Sequence, residues 1–108
     1  MTDQELADKV VSLGVGKYGT NAFWVVDPTC AWDQLDGPMS SELFVRDWRV
    51  AGALLERCQL ASITVDIDAF HAVPFVSVSS MNGKCDNSVD ITESLPRAIT
   101  EACCEALQ

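Results

Sequence analysis

Apolar and polar residues alternate along this chain with two rhythms, one near 3.6 residues and one of two, and these rhythms mark out its elements in turn. Leu6, Val10 and Leu13 recur at spacings of four and three, the period of one helix face, and predict a first helix over residues 2–13. Thr2 can cap it, Glu5 stands where a capping-box partner would, and Gly14 and Gly16 stop it. Ala22-Phe23-Trp24-Val25-Val26 is a β-branched and aromatic run too short for a buried helix; it predicts a strand, covered on both faces or at an edge, that ends at Asp27-Pro28. Residues 29–41 follow neither rhythm and contain Gly37 and Pro38, so they read as the longest loop.

Helical spacing returns over 45–58, with Trp48, Ala51, Leu54, Leu55 and Cys58 on one stripe and Arg46, Arg49, Glu56 and Arg57 mostly towards water. Ser41 would cap an earlier start and Asp47 a shorter helix. Residues 62–68 alternate strictly, placing Ile63, Val65 and Ile67 on a buried face and Thr64, Asp66 and Asp68 on a wet one. This is the clearest strand. Residues 74–80 offer its hairpin partner, with Val76 and Val78 inward and Phe75, Ser77 and Ser79 outward. Asn82-Gly83 signals a turn, and the polar run 84–88 reads as a connecting loop.

The last helix opens among competing caps near Asp90, Thr92 and Ser94, and tolerates Pro96 because first-turn amides have no intrahelical acceptor. Leu95, Ile99, Ala102, Cys103, Ala106 and Leu107 form its buried stripe; Cys104, rotated about 100° from Cys103, is expected nearer the surface. The order helix, strand, helix, strand, strand, helix predicts one α+β domain over residues 1–108, a small antiparallel sheet of about three strands packed with three helices.

Composition narrows the class. A chain of 108 residues buries roughly two-thirds of its unfolded surface without metal or disulfide. No apolar run approaches the roughly 18–20 residues that span a bilayer, and the acidic opening Met1-Thr2-Asp3-Gln4-Glu5 lacks the basic and apolar regions of a secretory signal. A cytoplasmic protein that does not engage a membrane is expected. The five cysteines, Cys30, Cys58, Cys85, Cys103 and Cys104, form no C-x-x-C pair. With His71 the sole imidazole, they read as thiols and core packing, and no cofactor or metal is expected.

Sixteen acidic residues against seven basic ones give a net charge of -9, a field that repels phosphates and disfavours direct binding of nucleic acid. The same field attracts a basic protein surface, although solubility alone accounts for many acidic compositions. Self-association remains open as a second kind of contact.

The chemistry-bearing groups are sparse. Asp66 and Asp68 share a strand face and His71 follows at a bend, a trio that could hold a metal or share a proton; the same aspartates also guard an edge strand against aggregation. Cys103-Cys104 lies among Glu101 and Glu105 at a helix C-terminus, where nothing lowers a thiol pKa. Gly14-Val15-Gly16 follows no strand, and Ser40-Ser41 and Ser79-Ser80 lack a nucleophile-elbow context. Enzymatic activity is not expected. Trp32 in the long loop and outward Phe75 are the aromatic residues best placed to anchor a contact, or else to close a second small core or a homodimer.

Glu93-Ser94-Leu95-Pro96-Arg97-Ala98-Ile99, followed by Glu101-Ala102-Cys103-Cys104-Glu105-Ala106-Leu107, resembles the closing segment of the phage ABA sandwich domain family, small proteins of phages and prophages. Residues 1–10 with Val15-Gly16 resemble its opening helix and turn, and Phe44-Val45-Arg46-Asp47-Trp48 running into Ala51-Gly52-Ala53-Leu54-Leu55-Glu56 resembles its central helix. The resemblance implies a sandwich of helices and sheet in a phage or prophage setting, and carries over no catalytic or binding residue. Where members have a hairpin rich in tryptophan and glycine, this chain has Asp66, Asp68 and His71.

The function expected from these observations is that of an accessory protein that binds a macromolecular partner through a basic surface, its sharpest version being inhibition of a host defence or nucleic-acid-handling protein. Asp33, Asp36, Asp66 and Asp68 would supply charge, with Trp32 and Phe75 as apolar anchors. The alternative is an oligomer that sequesters a nucleotide-like molecule, with Trp32 stacking a base and Lys17 or Arg46 meeting phosphate.

Overall fold

The structure, a computed structural model, describes residues 1–26, 35–69, 72–80 and 86–108, and only the backbone of residues 26, 35 and 36. Its elements run α1 (Asp3–Ser12), β1 (Lys17–Gly19), β2 (Ala22–Val26), β3 (Leu35–Met39), α2 (Ser41–Val45), α3 (Trp48–Leu60), β4 (Ile63–Asp68), β5 (Phe75–Ser80), β6 (Asp86–Asp90) and α4 (Leu95–Ala106). The α+β class holds, but the arrangement differs from the single sheet and three helices expected. There are two antiparallel three-stranded sheets, ordered β1-β2-β3 and β4-β5-β6, and four helices among the described residues.

Capping side chains set the helix starts. Thr2 Oγ1 accepts from the Glu5 amide at the head of α1, and Ser94 Oγ does the same for the Arg97 amide at α4, with Pro96 in the first turn. The helix read as continuous over 45–58 is two. Ser40, rather than Ser41, caps the short α2, and Asp47 caps α3 by accepting from the Arg49 amide. That break leaves Trp48 in the first turn of α3 with 59% of its surface exposed, off the buried stripe where its spacing had placed it; Val50 fills that role beside Ala51, Leu54 and Cys58.

The first sheet begins with a hairpin that residues 17–21 did not announce. Its two-residue turn, Thr20-Asn21, holds both residues at positive φ, 55° and 58°, the mirror-image geometry that matches strand twist. Residues 35–39, expected in the long loop, pair with β2 as β3; Pro38 is tolerated because β3 lies at the edge. Phe23 of the central strand stacks on Phe44 of α2 with ring centroids 5.0 Å apart, which joins this sheet to the helices. Gly16 sits beneath that stack at φ +76°, where a Cβ would lie 2.6 Å from the Phe44 ring.

In the second sheet β4 and β5 pair without interruption from Ile63↔Ser80 to Asp68↔Phe75, as the alternation predicted. Residues 86–88 of the run expected as a loop instead belong to β6, which pairs with β5 from Ser79↔Asp86 to Phe75↔Asp90. α3 and α4 cover one face of this sheet. Val76 and Val78 are fully buried there, and Asn87 donates from that face to the Glu105 carboxylate of α4. Small residues let α4 lie close: Ala98, Ala102, Cys103 and Cys104 are all buried, which corrects the expectation of a surface position for Cys104. One continuous core of Leu6, Val10, Phe44, Leu54, Val76 and Ile99 with their neighbours unites both sheets and the helices. Each large side chain so buried contributes roughly 1.5–3 kcal/mol.

A polar cluster fastens α1, α2 and α4 together. The Asp3 carboxylate receives Arg97 Nε at 2.7 Å and Arg46 Nη1 at 3.0 Å. Arg46 also donates to Glu93 at 3.0 Å, and Arg97 to Glu101 at 2.9 Å and to the Met1 carbonyl at 2.8 Å. The hydrogen bond from Arg97, helped by Arg46, holds the Asp3 carboxyl below its ordinary pKa against the opposing effect of burial.

Candidate interaction face

Strand alternation carried through three paired strands determines what the second sheet shows on the side its helices leave uncovered. Opposed residues of an antiparallel ladder share a face. The registers therefore set Asp68, Phe75 and Asp90 in one row, Asp66, Ser77 and Ser88 in the next, and Thr64, Ser79 and Asp86 in the third. Each position is exposed or half-buried, whereas Val76 and Val78 on the opposite face are sealed. Every member of this face is an aspartate, a serine or a threonine except Phe75, and none of its strands contains lysine, arginine or histidine.

Spacing makes the face a distributed charge rather than a chelating site. Carboxylates two residues apart on a strand stand about 7 Å apart, and Asp68 and Asp90, on the two strands flanking β5, about 10 Å apart. The charge is thus spread over the face, and Phe75 lies between the outer two as the apolar element. Among the described residues no group of three or more His, Cys, Asp or Glu side chains is disposed to hold a metal ion.

Of the expected contact residues, Asp66, Asp68 and Phe75 come together here. Asp36 belongs to the other sheet, where it pairs with Val25, so it is not part of this face. Trp32, Asp33, His71, Cys30 and Cys85 lie outside the described residues. Asp86 and Ser88 were missed because residues 84–88 read as a loop, and Asp90 because it read as a cap of the last helix. The signal was present in Val89 and Ile91, two residues apart: Val89 pairs with Val76 on the covered side, and the Ile91 amide extends the ladder to the Pro74 carbonyl at 2.8 Å.

Among the described residues, Arg46, Arg57 and three cysteines are engaged within the fold. Arg46, considered for a phosphate contact, is ion-paired to Asp3 and Glu93. Cys58, Cys103 and Cys104 are fully buried thiols. Burial pushes the Cys104 thiol up to about 12, and the hydrogen bond between Cys103 and Cys58, together with burial, raises Cys103 as well. A cavity of about 260 Å³ beside Gly14, Val15 and Ala53 is bordered by Arg57, whose guanidinium is tied to the Leu13 carbonyl. No helix among the described residues is long and apolar enough to cross a membrane. No family model, curated protein or solved structure matches the chain.

Proposed function

We propose that this chain is a small phage or prophage accessory protein, acting in the host cytoplasm, that binds a macromolecular partner without catalysis. The face of the β4-β5-β6 sheet turned away from α3 and α4 engages a basic surface on that partner. In its sharpest form the partner is a host defence or nucleic-acid-handling protein, inhibited because aspartates occupy the cleft in which phosphates would sit. The observation that supports this reading is the composition of the face: Asp66, Asp68, Asp86 and Asp90 among hydroxyls, with Phe75 as the lone aromatic. Charge gathered on one surface raises association rate and selects partners of opposite sign. The phage setting follows from the resemblance of the helical segments to the phage ABA sandwich domain family.

Affinity capture of the tagged protein from host lysate at about 50 mM and about 500 mM salt tests the reading, because exposed charges further apart than about 4 Å are largely screened at the higher value. A stoichiometric partner held at low salt, released at high salt and not held by Asp66→Lys/Asp68→Lys is the expected result. A partner retained equally by that variant would refute the assignment to this face.

A further inference from the structure

We infer that the open edge of β4 receives an extended segment of the partner as an additional strand, with basic side chains on the acidic face and aliphatic ones over the groove beside α3. This inference rests on the acidic face being the partner surface.

β4 is hydrogen-bonded to β5 alone, and among the described residues no backbone hydrogen bond reaches its other side from Ile63 to Ile67. Such an edge is a template for another strand, and native sheets ordinarily blunt it by shortness, proline, charged side chains or a bulge. The other edges show such devices: β1 has three residues, and β3 contains Pro38 beside a register shift in its pairing. β6 has Val89 as its lone apolar residue and is tied to α4 through Asn87. β4 has six residues in unbroken register and three β-branched aliphatics on one face; its guard is the charge of Asp66 on the other, which turns away an acidic strand and admits a basic one.

That face continues into an open groove of about 420 Å³, lined in part by Leu55, Gln59, Ile63 and Val65. Ile67, on the same face, is 48% exposed. A strand added about 4.8 Å from β4 would alternate between the two surroundings. Its inward side chains would cover Ile63, Val65 and Ile67, and its outward ones would stand beside Thr64 and Asp66.

Charge selects the occupant. A second copy paired antiparallel on this edge would join two chains of net charge -9 with their acidic faces continuous across the junction, and the mutual repulsion of two such fields opposes that pairing. A segment alternating lysine or arginine with valine or isoleucine satisfies both sides and the backbone together, the combination by which strand addition gains affinity and specificity.

The test is an NMR titration of the 15N-labelled protein with an acetylated, amidated octapeptide alternating lysine and valine, and with the same peptide N-methylated at every amide. The first peptide is expected to shift the β4 amide resonances and slow their hydrogen exchange. The N-methylated peptide should bind at least tenfold more weakly, and Ile67→Lys, with an unchanged circular dichroism spectrum, should lose at least tenfold for the first peptide. Equal binding of the two peptides, weakened for both by Asp66→Lys, would overturn strand addition and leave the acidic face standing as a charge surface. No perturbation of β4, β5 or β6 by either peptide would overturn both.

Discussion

Replacing Asp3 by asparagine removes one carboxylate from the junction of three helices and preserves its shape. Asp3 serves two guanidiniums, those of Arg46 and Arg97, which lie 43 and 94 residues further along the chain. The three side chains are each about a quarter exposed or less, so their pairing is partly screened by water. A charge-assisted bond in that setting contributes about 0.5–1 kcal/mol, between the values for exposed and for buried pairs. Losing both is worth about 1–2 kcal/mol, or roughly 5–10 °C in Tm for a domain of this size. The dependence on pH has a definite sign. Because the native Asp3 pKa lies below its unfolded value of 3.8, the carboxylate stabilises the fold above that value, and the contribution disappears as pH falls through the depressed native pKa. Urea unfolding followed by far-UV circular dichroism should show Asp3→Asn weaker than the natural chain at pH 7, with the gap narrowing as pH falls from 5 towards 2. Equal stability at pH 7, or a gap that persists unchanged to pH 2, would refute the argument.

Two glycines should respond in opposite directions. Gly16→Ala drives a Cβ into the Phe44 ring and the Trp24 carbonyl at a positive φ, and should cost about 2–4 kcal/mol in urea titration. Gly52→Ala, in α3 with nothing near its added Cβ, should stabilise by about 0.5–1 kcal/mol. Iodoacetamide at pH 8, read by peptide mass spectrometry, should leave Cys58, Cys103 and Cys104 unmodified in the native protein and label all three in urea; native labelling of Cys104 at the rate of a free thiol would contradict its burial.

Local rhythm recovered the elements whose own residues determine them. Leu6, Val10 and Leu13 marked α1, the alternation from Ile63 to Asp68 marked β4, and Ser94 with Pro96 marked the opening of α4. The elements that escaped are held by their neighbours. β6 is poor in strand-forming residues and exists because β5 offers it a ladder and α4 a surface; β3 contains glycine and proline and is held by β2. The Thr20-Asn21 turn lacks the glycine that usually announces a hairpin, so β1 went unread. Trp48 shows the converse failure, in which correct spacing was defeated by a cap that began the helix at that residue. The acidic face was accordingly half legible. Asp66, Asp68 and Phe75 followed from alternation within their own strands, whereas Asp86, Ser88 and Asp90 joined them only through a pairing between strands.

The most direct test of the acidic face compares two charge-reversed variants of equal net charge against the captured partner by isothermal titration calorimetry at low salt. One reverses Asp66 and Asp68 on the face; the other reverses Asp8 and Glu56, exposed on α1 and α3. Affinity should fall at least tenfold for Asp66→Lys/Asp68→Lys and stay within about twofold for Asp8→Lys/Glu56→Lys, since charges remote from a contact act mainly on encounter rate. Equal losses from both would show that net charge, rather than this sheet face, recruits the partner.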